Sequence, residues 1–159
     1  FTDKFFAPVV DKVRAAVGIE QVVLMGDADG DVPYDMTYED LLAGSSSVIP
    51  DEPEEDDAAI LMYTGGTTGL PKGVLLDHRA EMLNLYHVSQ VWRFNSEDVF
   101  LHQTPMFHAA SMGGMLGVPA QGGTSVFLPL FDPARVLDLC EQHSVTNTVM
   151  VPTMICRSA

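Results

Sequence analysis

Basic residues are scarce in this 159-residue chain: 8 lysines and arginines stand against 22 acids, a formal net charge of −14. That balance excludes the electrostatic footprint needed to hold a nucleic-acid backbone or an anionic membrane. Cysteine is rarer still. Cys140 and Cys156 give neither a disulfide framework nor a metal pattern, so reduced thiols, a cytoplasmic setting and no metal ligand are expected. Long apolar runs are missing as well, and none approaches the roughly 18 residues of a membrane span. No signal peptide is visible.

What remains is globular in kind. Apolar residues form 47% of the chain, too many for a disordered polymer and enough for one hydrophobic core. The acidic excess is partly local, because DEPEEDD at 51–57 packs like charges that repel one another, and two prolines, Pro50 and Pro53, keep the chain extended. The ends, FTDKFFAPVV without a methionine and MICRSA, suggest a piece of a longer protein.

Periodicity places the elements. A helix is expected from about Pro8 to residue 17, a strand at 19–25, and a short helix at 37–44 with Thr37 as N-cap and Gly44 as stop. Residues 45–57 read as an exposed acidic linker, and 1–57 as a variable lead-in within the same large domain. From 58 to 159 the pattern is regular. A buried strand AAILMY leads into the loop TGGTTGLPKG, then come a short strand VLLD, a helix from His78, and a strand at 99–104. A small-residue helix after His108, a strand at 124–129, a helix capped by Asp132 with Pro133 at N1, and a strand at 146–152 follow. On the helix from His78, Met82, Leu85 and Tyr86 are expected on the apolar side. Alternating strands and helices predict a layered α/β fold with a largely parallel sheet and flanking helices. Ligands in such sheets sit beyond the carboxyl ends of strands, where the loops 64–73 and 104–108 both fall.

The loop 64–73 has a legible chemistry. Gly65, Gly66, Gly69 and Gly73 let backbone N–H groups approach a ligand, which makes an anion nest. Thr64, Thr67 and Thr68 add hydroxyl donors, and Lys72 adds a mobile positive charge of the kind that holds a phosphate. A di- or triphosphate is the expected guest. It is not a Walker A loop, since Pro71 stands where that motif needs glycine and Gly73 where it needs a hydroxyl. The alternative, a flexible glycine-rich turn, explains neither the threonines nor the lysine.

YTGGTTGLPKGV, residues 63–74, closely resembles the phosphate-binding signature of the adenylate-forming family: acyl-CoA synthetases, aryl-CoA ligases, luciferases and peptide-synthetase adenylation domains. The usual form is Y-T-S-G-T-T-G-x-P-K-G, so Gly65 stands in place of a serine and one hydroxyl donor is lost. PMFHAASM at 105–112 resembles the family's substrate-side motif. From the residues alone His108 reads equally as a satisfied side chain. The resemblance implies that His108, and with it Phe107, lines the acyl pocket. His102 is expected to be structural, and Met106, Met112 and Met115 read equally as apolar lining or as core. Asp77, His78 and the segment 122–146 also resemble family patterns, there as scaffold.

The resemblance implies a truncated piece of the large N-terminal domain. It also implies a parent enzyme that is an AMP-forming acid–thiol ligase using ATP, magnesium and coenzyme A on a fatty or other apolar carboxylate. Lys72 would stabilise phosphate charge, and Thr64, Gly65, Gly66, Thr67, Thr68, Gly69 and Lys72 would hold the nucleotide. The isolated piece is expected to be inactive, because the family's magnesium glutamate, ribose aspartate, hinge and C-terminal lysine are not in it. Carrier-dependent adenylation, a luciferase-like reaction, or a degenerate nucleotide-binding module remain as alternatives, the last favoured by Gly65.

Overall fold

The computed structural model describes residues 1–65 and 69–158, and its contacts group the chain into two units, Phe1–Asp51 and Glu52–Ala159. In the first unit the Asp3 carboxylate accepts from the Phe5 and Phe6 amides at the start of helix α1, Ala7–Val17. Pro8 sits in the first turn, where its missing N–H costs nothing. Gly18 ends the helix at φ 69°, a left-handed cap that favours glycine. Arg14 then pairs with Asp35 at 2.9 Å and donates to the Ile19 carbonyl. Asp35 in turn accepts from the Val22 amide.

These side-chain bonds replace a ladder over residues 19–22. The strand predicted at 19–25 is therefore only β1, Val23–Leu24, parallel to β2, Met36–Thr37. Helix α2, Tyr38–Ala43, opens on a complete capping box between Thr37 and Asp40 and closes at Gly44.

The second unit begins with a hairpin. Strand β3, Ala58–Thr64, pairs antiparallel with β4, Lys72–Asp77. The short loop 65–71 dictates this, because a parallel return needs a crossover of about a dozen residues or more. The sheet content is accordingly mixed. Strand β3 is also less buried than its apolar run suggests, with Leu61 57% and Tyr63 67% exposed.

Helix α3, His78–Trp92, starts where the Asp77 carboxylate accepts from the Ala80 amide at 2.7 Å. The acidic lead-in is tied to this end. Asp57 and Glu55 carbonyls accept from the His78 and Arg79 amides, and Arg79 forms an exposed ion pair with Glu55. Leu85, Val88 and Ser89 face inward, whereas Met82 and Tyr86 stand exposed. The apolar face of α3 thus lies partly beside the expected one.

A three-stranded parallel sheet follows, in the order β6-β5-β7, from β5 (Val99–His102), β6 (Thr124–Phe127) and β7 (Asn147–Thr148). Helix α4, Ala109–Ala120, and helix α5, Pro133–His143, make the two crossovers. Alternate residues of β5 face opposite sides. Phe100 joins Phe94 and Val118 in one core cluster, and Leu101 joins Val136 and Leu139 in the other. This half matches the predicted layered arrangement. The last strand is shorter than 146–152, because Pro152 starts a further helix, α6, Pro152–Ser158.

Two polar devices hold the sheet. Asp98, buried ahead of β5, accepts from the Thr146 hydroxyl and Asn147 amide group at 2.7 Å and from the Asn95 amide at 2.9 Å. The Thr146 bond first, then the Asn95 amide, holds its carboxyl below the ordinary range, against partial desolvation. His102 stacks on Phe127 at 4.7 Å, with Nε2 3.0 Å from Ser125 Oγ. Burial holds this imidazole below its ordinary value, so it is neutral in the fold. That agrees with a structural role.

The helices close on the sheet through glycine. A methyl at Gly114 would overlap the buried Phe100 ring, and one at Gly117 would meet Phe94 at 2.8 Å. Gly114→Ala is expected to cost about 1–3 kcal/mol by overpacking, outweighing the helix propensity of about 1 kcal/mol that alanine adds. Urea unfolding measures the difference. For His102 the sign is set by its lowered value: the unfolded chain takes up the proton first as pH falls below about 6.5. Stability from the neutral ring is full above that pH and is lost as pH falls toward the depressed folded value. His102→Phe should flatten this part of the stability–pH curve and leave the lower-pH loss associated with Asp98.

Candidate functional site

The hairpin delivers the donors at the head of the glycine–threonine loop. Thr64 is the last residue of β3 and lies opposite Lys72, the first of β4; its hydroxyl donates to the Lys72 carbonyl at 3.3 Å. The Tyr63 ring lies across its partner Gly73, within 3.7 Å of where a Cβ would stand. Lys72 is exposed and takes part in none of the ion pairs among the described residues. Its charge is therefore available to a ligand. A Cβ at Gly65 would meet no atom of the described residues within 4 Å. Gly69 has φ 156°. Gly66, Thr67 and Thr68 lie outside the described residues.

The second loop is built differently. β5 ends at His102, and the chain turns through Pro105 into α4, whose N-cap is His108. The His108 ring accepts from the Ala110 amide through Nδ1 at 3.1 Å. A neutral imidazole in that role carries its proton on Nε2, which leaves one donor free. Phe107 beside it is 86% exposed. Behind both, Ser111 is 3% exposed. Its Oγ lies 2.8 Å from the Pro105 carbonyl and 2.7 Å from Thr104 Oγ1.

Between β3 and the start of α4 lies a cavity of about 480 Å³. Leu61, Tyr63, Met106, Phe107, Met112 and Met115 are among its lining residues. Tyr63 directly precedes Thr64, and Phe107 directly precedes His108. Strand β3, which leads into the first loop, and residues 106 and 107 of the second therefore form walls of one hollow. Lys72 and His108 are not among the lining residues.

The three methionines expected as lining or core do line the cavity, and Met112 is buried as well. Sequence reasoning missed the contribution of β3, because AAILMY reads as core. The alternation of Leu61 and Tyr63 on one face of a strand was the available signal. It also missed Thr104 and Ser111, whose hydroxyls read as ordinary polar residues of a loop and a helix. Among the described residues no group of three or more His, Cys, Asp or Glu side chains could hold a metal. No described helix is long and apolar enough to cross a membrane.

Comparison with known proteins adds the lineage. Residues 2–157 match the family described as AMP-binding enzyme. A feruloyl-CoA synthase of an Amycolatopsis species is 40% identical over 119 residues, covering 70% of this chain and 24% of the relative. The 4-hydroxybutyrate–CoA ligase 2 of Metallosphaera sedula is 34% identical over 155 residues, covering 92% of this chain and 27% of that one. The crystal structure of ATP-bound MatB from Rhodopseudomonas palustris superposes with a TM-score of 0.75 at 31% identity, over 98% of this chain and 30% of that one. The chain thus spans about a quarter of the curated relatives it matches. With its loop, its layered fold and a match along nearly its whole length, the chain belongs to the family of AMP-binding enzymes.

Proposed function

We propose that this chain is part of the large N-terminal domain of an ATP-dependent acyl-CoA ligase, and that residues 63–73 and 105–116 contribute two sides of one site. The observation that carries the reading is the shared cavity, with Tyr63 at the edge of the phosphate loop and Phe107 at the substrate motif both on its wall. The names of the relatives, CoA synthases and CoA ligases, support the same class. The lead-in 1–57 belongs to the same domain in this reading. A reducing cytoplasm fits the two free thiols.

In the first step a carboxylate oxygen attacks the α-phosphorus of ATP, giving acyl-adenylate and releasing pyrophosphate. The thiol of coenzyme A then attacks the acyl carbon and AMP leaves. The protein supplies alignment and charge stabilisation on the phosphates. Thr64, Gly65, Gly66, Thr67, Thr68 and Gly69 hold the phosphates by hydroxyl and backbone donors, and Lys72 stabilises their charge. Magnesium, when bound with ATP, neutralises further phosphate charge.

Phe107 and His108 stand on the acyl side. The free Nε2 donor of His108 faces a role at the substrate carboxylate, whereas Nδ1 is committed to the helix cap. Among the described residues, the side chains that line the cavity are aliphatic, aromatic and thioether groups apart from the Tyr63 hydroxyl. An apolar monocarboxylate therefore suits it better than a dicarboxylate, whose second charge would be desolvated without a partner.

The phosphate assignment is tested on the 159-residue chain itself. Lys72→Ala is expected to weaken ATP or pyrophosphate binding by about tenfold or more, as for the loss of a charge-assisted hydrogen bond; calorimetry that finds unchanged affinity contradicts it. Gly65→Ser restores the hydroxyl of the family pattern. It should tighten ATP binding about fivefold, the worth of one neutral hydrogen bond, with no change in thermal stability.

A further inference from the structure

Helix α4 is built from alanine, glycine and methionine up to residue 115, with one exception, Ser111. A hydroxyl that is 97% buried is costly unless it is bonded. Ser111 is bonded on every side. Its Oγ lies 2.8 Å from the Pro105 carbonyl, 3.3 Å from the Thr104 carbonyl and 2.7 Å from Thr104 Oγ1. A hydroxyl has one proton to give. The shortest carbonyl contact assigns that proton to Pro105, and the Thr104 hydroxyl then donates to Ser111. The Ser111 amide meanwhile donates to the His108 carbonyl at 2.9 Å, and the His108 amide donates to the Pro105 carbonyl at 3.0 Å.

Every residue from 104 to 108 except Met106 and Phe107 is thereby tied to the start of α4. Those two are the residues that project into the cavity wall, and Met112, the neighbour of Ser111, is buried beneath it. The loop has few other restraints, since Phe107 and His108 are exposed. Its angle is set from below, by the hydroxyl pair of Ser111 and Thr104.

We propose that Ser111, acting with Thr104, is a positioning residue for the carboxylate side of the reaction: it fixes the loop 105–108 so that Met106 and Phe107 wall the acyl cavity. This rests on the ligase reading above. The role is separable from a general structural one because the phosphate loop hangs on the β3–β4 hairpin, and among the described residues Ser111 makes no hydrogen bond to that hairpin. Loosening the 105–108 loop acts on carboxylate affinity and leaves nucleotide affinity unchanged.

The test is acyl-adenylate formation by the full-length protein, with octanoate and with cinnamate. In Ser111→Ala the carboxylate KM should rise about tenfold, with the ATP KM held within about twofold, the pattern of a lost ground-state contact on one substrate only. Thr104→Val removes the partner hydroxyl at nearly constant volume and should give the same split. Thr104→Ser, which keeps the hydroxyl, should restore the wild-type carboxylate KM. Equal rises in both KM values, or an unmoved carboxylate KM in Ser111→Ala, overturn the positioning role. Should Ser111→Ala not fold, the Thr104 pair decides, and a wild-type carboxylate KM in Thr104→Val overturns it. A wild-type protein that activates neither acid fails the ligase reading itself, and this role with it; an active wild type with unmoved variants fails the positioning role alone.

Discussion

The backbone of α4 lies against the ring of Phe100, and much of the second unit depends on that contact. Only a residue without a side chain permits it, since any Cβ at Gly114 would enter the ring. Gly113 and Gly117 extend the contact toward Trp92 and Phe94. Phe94 and Phe100 meet edge to face at 5.9 Å, and Trp92 meets Phe94 at 5.4 Å. This close approach packs α4 against both α3 and β5 and holds the start of α4 beside the end of β5. The loop 104–108 has nowhere else to run. Its apolar residues are presented to β3, and a hollow opens between them.

The division of labour in the hollow follows from what each loop can donate. The hairpin loop is rich in backbone N–H groups and hydroxyls and has one uncommitted cation, so it suits an anion. The loop before α4 offers aromatic and thioether surface, so it suits a hydrocarbon. A reaction that joins a carboxylate to a phosphate needs such a pair, with the anionic end of each reactant meeting at the boundary. Strand β3 links them, because Tyr63 lines the cavity while Thr64 leads into the loop proposed to hold the phosphates.

Much of this was legible in the residues, and for identifiable reasons. Caps announce themselves locally: Thr37 with Asp40, Asp77, and Asp132 with Pro133 each start a helix where the sequence places it. The sheet of β5, β6 and β7 was legible because short β-branched and apolar runs alternate with helical stretches, most clearly α5 with its Asp132–Pro133 start. The burial of β3 was not, because an apolar run reports hydrophobicity and not which neighbour covers it; Leu61 and Tyr63 face the hollow instead. The short β1 was hidden for a different reason. Arg14 and Asp35, far apart in sequence, take over the backbone bonds that a ladder would have made. Ser111 was invisible for the same cause, since its meaning lies in carbonyls six and seven residues away.

In the proposed reading the two loops serve one reaction, the joining of an apolar carboxylate to the α-phosphate of ATP. Exchange of labelled pyrophosphate into ATP by the full-length protein reports reversible adenylate formation without the thiol step. Exchange is expected to require an added apolar monocarboxylate and not to occur with a short dicarboxylate such as malonate. Exchange that is absent with every carboxylate, or that proceeds with malonate as readily as with octanoate, would contradict that reading.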